Sequence, residues 1–289
     1  MKIALLGSES FLAKHLSESF RHHNGWDTTP FSRYGSDQFS YPHGVPLIST
    51  LTSYDAIVLT ASAGVQAGSD VSATDLYGIN LFYPVELITQ LTEHNFRGIV
   101  ITFGSYFEIG NCNEDRSFNE NALVHTPYAA KNPYSLSKRL LTRFHDSFQG
   151  SFPWFHVVLP TIYGKGERSA RLIPYLIESA RQQKDLSVTA GQQVRQYLHT
   201  DDVSVFIGMA LNNSLAPGMY NLAPASSVTI AELRTLTIRL ANPDYRGAIE
   251  IKTGRDEDMK ILKLDASKAN LQNWQPKVSL EAGINSYLS

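Results

Sequence analysis

A tyrosine and a lysine four residues apart are the first groups in this sequence whose spacing could do chemistry. In NPYSLSK, Tyr134 and Lys138 stand at the start of a segment with helical periodicity, 132–148, so both side chains leave one face of a helix. An ammonium near a phenol lowers its pKa from an ordinary value of about 10 and favours the phenolate. Such a tyrosine can exchange a proton with a substrate hydroxyl or carbonyl near neutral pH. The spacing alone also fits an exposed helix end. Ser105 closes the strand-like run GIVITFGS and is expected at the carboxyl edge of a sheet, where doubly wound folds bind ligands. A hydroxyl there can polarise the oxygen that Tyr134 protonates.

The elements that must hold these groups alternate through the first half of the chain. Strand-like KIALLG, WDTTPFS, DAIVLTA, GIVITFGS and FHVVLP are interleaved with helical FLAKHLSESFRHH, LFYPVELITQLTEH and NPYSLSKRLLTRFHDSF. Repeated βαβ units of this kind predict an α/β fold, a doubly wound parallel sheet. From Gly35 to Ser53 the chain is rich in Pro, Gly, Ser and Thr and is expected to be loop with at most one short strand. After Pro160 the rhythm breaks. LIPYLIESARQQ and VTIAELRTLTIRL are helical but separated by irregular stretches, which predicts a smaller C-terminal part laid over the sheet's carboxyl edge.

The first strand runs into GSESFLA, where a dinucleotide-binding turn belongs. In a G-x-x-G-x-x-G turn the first glycine makes the bend, the second lets backbone approach the pyrophosphate, and the third lets helix pack on strand. Here those places hold Gly7, Ser10 and Ala13. Serine is small and its hydroxyl can donate to phosphate, and alanine costs the packing little. Glu9 must point to solvent for the turn to accept phosphate. A plain βα turn is the alternative.

Composition bounds the function classes. The 289 residues carry 25 Lys and Arg against 27 Asp and Glu, a net charge of −2, which offers no basic face for nucleic acid. The single cysteine, Cys112, can form neither an internal disulfide nor a cysteine-rich metal site, so no metal is expected. No apolar run is long enough to span a bilayer, and no leader pattern opens the chain. A cytoplasmic protein without membrane association is expected.

Taken in order, the Gly7 turn, Asn80 in YGIN, Ser105 in FGSYFEIG, Glu120, Tyr134 with Lys138, PTIYGKG and VRQYLHTDDV resemble the extended short-chain dehydrogenase/reductase family. This is the family of NAD(P)-dependent nucleotide-sugar epimerases, dehydratases and reductases. The likeness runs from Met1 to about Leu222 and implies a Rossmann-like cofactor domain over 1–160, with 200–215 returning to it. The substrate-binding part would comprise 161–199 and 216–289. By the same resemblance Tyr134 is the general acid/base, Lys138 holds the nicotinamide ribose and tunes Tyr134, and Ser105 bonds the reacting oxygen. Cofactor contacts are implied at Gly7, Ser10, Phe11, Leu12, Ser32, Arg33, Ala61, Ser62, Tyr134, Lys138, Pro160 and Ile162. Substrate contacts are implied at Ser105, Tyr106, Thr161 and Arg195, the arginine meeting the diphosphate with its planar fork of donors. Asn80 and His199 take structural roles.

Departures from the family pattern narrow the reaction. Dehydratases carry an acidic pair just after the serine, where this chain has Tyr106 and Phe107. The cysteine and histidine used for carbon epimerisation in fucose-synthase relatives have no counterpart, since Cys112 falls elsewhere in the loop. Val158 replaces a usual arginine. In TTPFSRYG, Ser32 and Arg33 occupy the place where NAD-specific members have an acid, which favours NADP(H) over NAD(H). The expected function is an NADPH-dependent reductase of a nucleotide-activated 4-keto-6-deoxy sugar. An NDP-sugar 4-epimerase and a non-catalytic dinucleotide-binding or scaffold protein are the alternatives. The helices over 81–94 and 134–148 correspond to those that pair in the family's dimers, so a homodimer is expected.

Overall fold

A computed structural model describes residues 1–23, 25–32, 48–64, 71–252 and 259–289. The first part of the chain forms β1 (Lys2–Leu6), α1 (Phe11–Arg21), β2 (Asp27–Phe31), α2 (Ile48–Leu51), β3 (Ala56–Leu59), α3 (Ala73–Tyr77), α4 (Tyr83–Glu93), β4 (Ile99–Ser105), α5 (Glu120–Val124), α6 (Pro133–Asp146) and β5 (Trp154–Leu159). Beyond Leu159 come β6 (Thr161–Tyr163), α7 (Leu172–Arg181), β7 (Leu186–Thr189), β8 (Val194–Arg195), β9 (Tyr197–His199), α8 (Thr200–Leu211) and β10 (Gly218–Asn221). They are followed by β11 (Val228–Thr229), α9 (Ile230–Ala241), β12 (Ile249–Lys252), α10 (Ser267–Leu271) and α11 (Leu280–Asn285).

Six strands pair in parallel in the order β10-β5-β4-β3-β1-β2. Their sequences are near-continuous apolar runs because both faces of the sheet are covered: every residue of β3, β4 and β5 is buried. Helix α1 buries Leu12, Ala13, Leu16 and Phe20, spaced to line one face, in a core shared with Ile3, Leu5 and Val58. A second core, on Leu6, Leu59, Leu87, Leu91 and Trp154, fills the opposite face under α4 and α6. The chain leaves β1 toward β2 on one side and returns to β3 on the other, so the sheet's switch point lies at the carboxyl ends of β1 and β3.

The expected doubly wound parallel sheet is thus the observed fold. One turn of helix, α2, forms where loop was expected. A π-helical turn at Gly78–Phe82 precedes α4 and overlaps only the first two residues of the helix expected over 81–94. The last part of the chain adds three two-stranded sheets, β6 with β9, β8 with β11, and β7 with β12. A third core on Tyr163, Ile173, Ile177, Leu233 and Ile284 binds α7, α9 and α11 together, and α8 packs on α1. Among the described residues no helix is long and apolar enough to cross a membrane.

Candidate active site

The turn after β1 is shaped by Gly7. Its φ is +86°, and a Cβ there would lie 2.5 Å from the Ala61 nitrogen at the end of β3. Only glycine fits both the backbone conformation and this close approach. Gly7 and Ser8 both donate to the Phe31 carbonyl, and the buried Thr60 hydroxyl bonds the Leu6 and Gly7 carbonyls, so three strand ends fix the turn. Ser10 is the N-cap of α1: its hydroxyl accepts from Ala13 N at 3.1 Å. Glu9 is drawn aside in an exposed ion pair with Lys14 at 3.3 Å, and the first turn of α1 holds no acid. A helix N-terminus with these features suits a pyrophosphate. The turn therefore fits a dinucleotide despite its single glycine. Phe11 opens the helix and stacks edge-on with His15, while the Leu12 side chain is buried in the core. Ser32 follows β2 directly; Arg33 lies outside the described residues.

At the carboxyl end of β4, Ser105 is the N-cap of a 3₁₀ turn, Tyr106–Ile109. Helix α6 begins at Pro133, capped by Asn132 Oδ1 accepting from Ser135 N at 2.8 Å, and this start aims Tyr134 and Lys138 at the same strand end. The Ser105 and Ser62 hydroxyls lie near enough to the buried Tyr134 phenol to act on its ionisation. Lys138 donates to the Phe103 carbonyl at 3.0 Å and is 5% exposed. Burial pushes the Tyr134 phenol up to about 12, with the two serines and the Arg171 charge pulling against it. The expected lowering by Lys138 is not observed. Burial pushes that ammonium itself down to about 8, and its bond to Phe103 commits one of its protons to the backbone. Tyr134 is therefore a protonated acid at neutral pH.

Asn80 explains why Ser62 stands where it does. From the π-helical turn its amide accepts from Ala63 N and the Ser62 hydroxyl and donates to the Ala63 carbonyl and Ser137 Oγ, at 2.8–3.2 Å. It ties the segment after β3 to α6.

On the other side of Ser105, the buried Tyr106 hydroxyl lies 2.6 Å from Thr161 Oγ1. Pro160 leads into β6, which pairs with β9 and sets Thr161 opposite Tyr197. Arg195, expected either to face the site or to be a solvated charge, is 6% exposed and held by the Val194 and Lys260 carbonyls. Its charge reaches the Tyr106 and Tyr197 phenols. Gln196 clamps Pro224 and Leu264, His199 caps α8, and Asp202 accepts from Lys277 N and Val278 N, so the rest of VRQYLHTDDV is structural. Glu120 likewise accepts from Asn221 N. Cys112 is fully buried.

Two groups were missed by sequence reasoning. Arg171, held by Glu167 at 3.0 Å and by the Ile162 carbonyl, acts electrostatically on Tyr106, Tyr134 and Tyr197. It carries no motif. Glu108 is fully buried behind Ser105 and does have a signal: Ser105 and Glu108 form an S-x-x-E capping box, with Ser105 N donating to Glu108 Oε1 at 2.6 Å.

A switch-point crevice, a dinucleotide turn and a Ser–Tyr–Lys cluster define a class of cofactor-dependent α/β proteins. The chain belongs to the NAD dependent epimerase/dehydratase family, whose model matches residues 3–223. CDP-abequose synthase of Salmonella muenchen is 22% identical over 169 residues, which cover 56% of this chain and 57% of that protein. The match thus spans little more than half the length of that curated relative. The crystal structure of dTDP-glucose 4,6-dehydratase from Bacillus anthracis in complex with NAD shares the fold, with a TM-score of 0.83 and 20% identity over 100% of this chain and 95% of that one. UDP-glucose 4-epimerase from Thermotoga maritima with UDP-glucose gives 0.82 and 17%, covering 100% and 98%.

Proposed function

We propose that this protein is an NADPH-dependent reductase of a nucleotide-activated 4-keto-6-deoxy sugar. The observation that carries the reading is the placement of Tyr134 and Lys138, at the start of α6, beside Ser105 at the carboxyl end of β4, with the Tyr134 phenol kept protonated by burial. A reduction needs a proton delivered to the former carbonyl oxygen, and a buried phenol between two hydroxyls is an acid placed to deliver it. Tyr106 and Phe107, where an eliminating enzyme needs acids, support reduction over dehydration. The name of the abequose synthase, like that of GDP-L-fucose synthase 1 from Oryza sativa at 22% identity, supports a nucleotide-sugar substrate.

Gly7, Ser10, Phe11 and Leu12 would hold the pyrophosphate through backbone at the head of α1, with Ala61, Ser62, Pro160 and Ile162 along the rest of the cofactor. The nicotinamide dinucleotide, when bound, supplies the hydride. Lys138 has ammonium protons left for ribose hydroxyls, Ser105 orients the keto oxygen, and Tyr134 protonates it. Tyr106 and Thr161 face the sugar, and Arg195, with its permanent charge in a buried setting, suits the diphosphate. Ser32 and Arg33 select NADPH. We assign 1–160 with 200–215 to the cofactor and 161–199 with 216–289 to the substrate, in a homodimer joined through α4 and α6. Incubation with 4-keto-6-deoxy nucleotide sugars and with their 4-hydroxy counterparts tests this: one NADPH consumed per keto sugar reduced supports reduction, whereas inversion at C4 of a 4-hydroxy sugar with none consumed assigns a 4-epimerase.

A further inference from the structure

Glu108 is more than the partner of a helix cap. Capping boxes accept glutamine as readily as glutamate, so a cap alone gives no reason to bury a charge. Here the carboxylate is completely buried, and its second oxygen turns inward to accept from Thr142 Oγ1 at 2.5 Å. Behind it runs a chain of hydrogen bonds. Trp154 Nε1 donates to Thr102 Oγ1 at 2.9 Å, Thr102 Oγ1 lies 2.8 Å from His156 Nδ1, and His156 Nε2 lies 2.9 Å from Thr142 Oγ1. An indole only donates and a carboxylate only accepts, so one assignment satisfies every link: Thr102 donates to Nδ1, Nε2–H donates to Thr142, and Thr142 donates to Glu108. All the dipoles point toward Glu108 and favour its ionised form. Room for this arrangement comes from Gly104, where a Cβ would lie 2.7 Å from Glu108 Oε1 and 2.8 Å from His156 Nε2.

The groups facing Glu108 are Tyr134, Lys138 and Arg139 from α6 and His156 from β5, with His145 stacked on His156. Both histidines are held neutral by burial. Arg139 is committed to the Glu108 and Ile109 carbonyls. Lys138 stands one turn before Thr142 on α6 and its ammonium bonds the Phe103 carbonyl beside Gly104, which sets its charge, with that of Arg139, near the carboxylate.

We propose that Glu108 is a positioning residue that holds Lys138 in its ammonium form and anchors the Ser105 backbone, and so governs the groups around Tyr134. Desolvation pushes Glu108 up and Lys138 down, while the attraction between them opposes both shifts, so the ionisation of each depends on the charge of the other. The role given to Lys138 in proton and cofactor handling rests on the function proposed above; the Glu108–Lys138 linkage itself does not.

The test is NMR titration of ¹³C,¹⁵N-lysine-labelled, cofactor-free protein, with the Lys138 resonance assigned by Lys138→Met. In Glu108→Gln, which keeps the cap, the Lys138 midpoint is expected to fall by roughly one pH unit. Thr142→Val, which removes one donor to the carboxylate without touching the cap, is expected to move it the same way by less, and serves if Glu108→Gln does not fold. An unchanged midpoint in the folded variants overturns the proposal and leaves Glu108 as a cap. NADPH titrated into the wild-type sample separates the two readings: failure to bind would refute the cofactor assignment while leaving the Lys138 shift to stand or fall by itself.

Discussion

At the scale of single residues, the proposed function puts the chemistry on Tyr134. Its phenol is held protonated by burial, so replacing it with phenylalanine keeps the ring and removes only the proton. Tyr134→Phe is expected to lower turnover by about a hundredfold or more with NADPH affinity nearly unchanged. Steady-state kinetics and a fluorescence titration check both halves. On the proposed function Arg33 selects NADPH: a charge-assisted contact with a 2′-phosphate is worth about 1.5–3 kcal/mol, so Arg33→Ala is expected to weaken NADPH by roughly tenfold to a hundredfold and leave NADH unchanged. Equal losses for both cofactors would remove the contact. The meeting of Ser105, Tyr134 and Lys138 at the end of β4 was legible because a strand end and the first turn of a helix can be read from local pattern. The direction of the phenol's pKa was not, because spacing does not encode burial. Arg171 was invisible for a related reason: its place beside three tyrosines depends on the fold of the C-terminal part and on no local pattern.

At the scale of elements, the site is a meeting of strand ends with helix starts. Gly7→Ala is expected to abolish dinucleotide binding and destabilise the fold, since the new methyl meets Ala61 backbone and φ is +86°. Calorimetry on the apo variant and cofactor titration separate those effects, and a variant that bound NADPH normally would remove the turn from the cofactor site. The strands were legible because parallel strands covered on both faces are unbroken apolar runs. The π-helical turn bearing Asn80 was not, since the expected helix takes in only its last two residues, although it is what lets Asn80 hold Ser62 toward Tyr134. Glu108 could have been found from the serine three residues before it.

For the whole molecule, the faces of α4 and α6 bear on assembly. Leu136 and Leu140 on α6 are 38% and 37% exposed, and Phe82 just before α4 is 52% exposed. Covering such side chains favours the homodimer, and light scattering at micromolar concentration is expected to give twice the 32.1 kDa chain mass. The monomer mass would contradict it. The change from one parallel sheet to small two-stranded sheets could be read from the break in βα rhythm after Pro160, but the packing of β6 on β9, which sets Thr161 near Tyr106, could not. The claim that joins these scales is that hydride and proton are delivered to one keto group, the proton by Tyr134. It is tested most directly with NADPH carrying deuterium at both C4 positions and a 4-keto-6-deoxy nucleotide sugar, following the product by NMR and mass spectrometry. The account predicts one deuterium at the former keto carbon for each NADPH oxidised, and a trace at most with Tyr134→Phe. A product formed without deuterium at that carbon, or unaltered turnover in Tyr134→Phe, would contradict it.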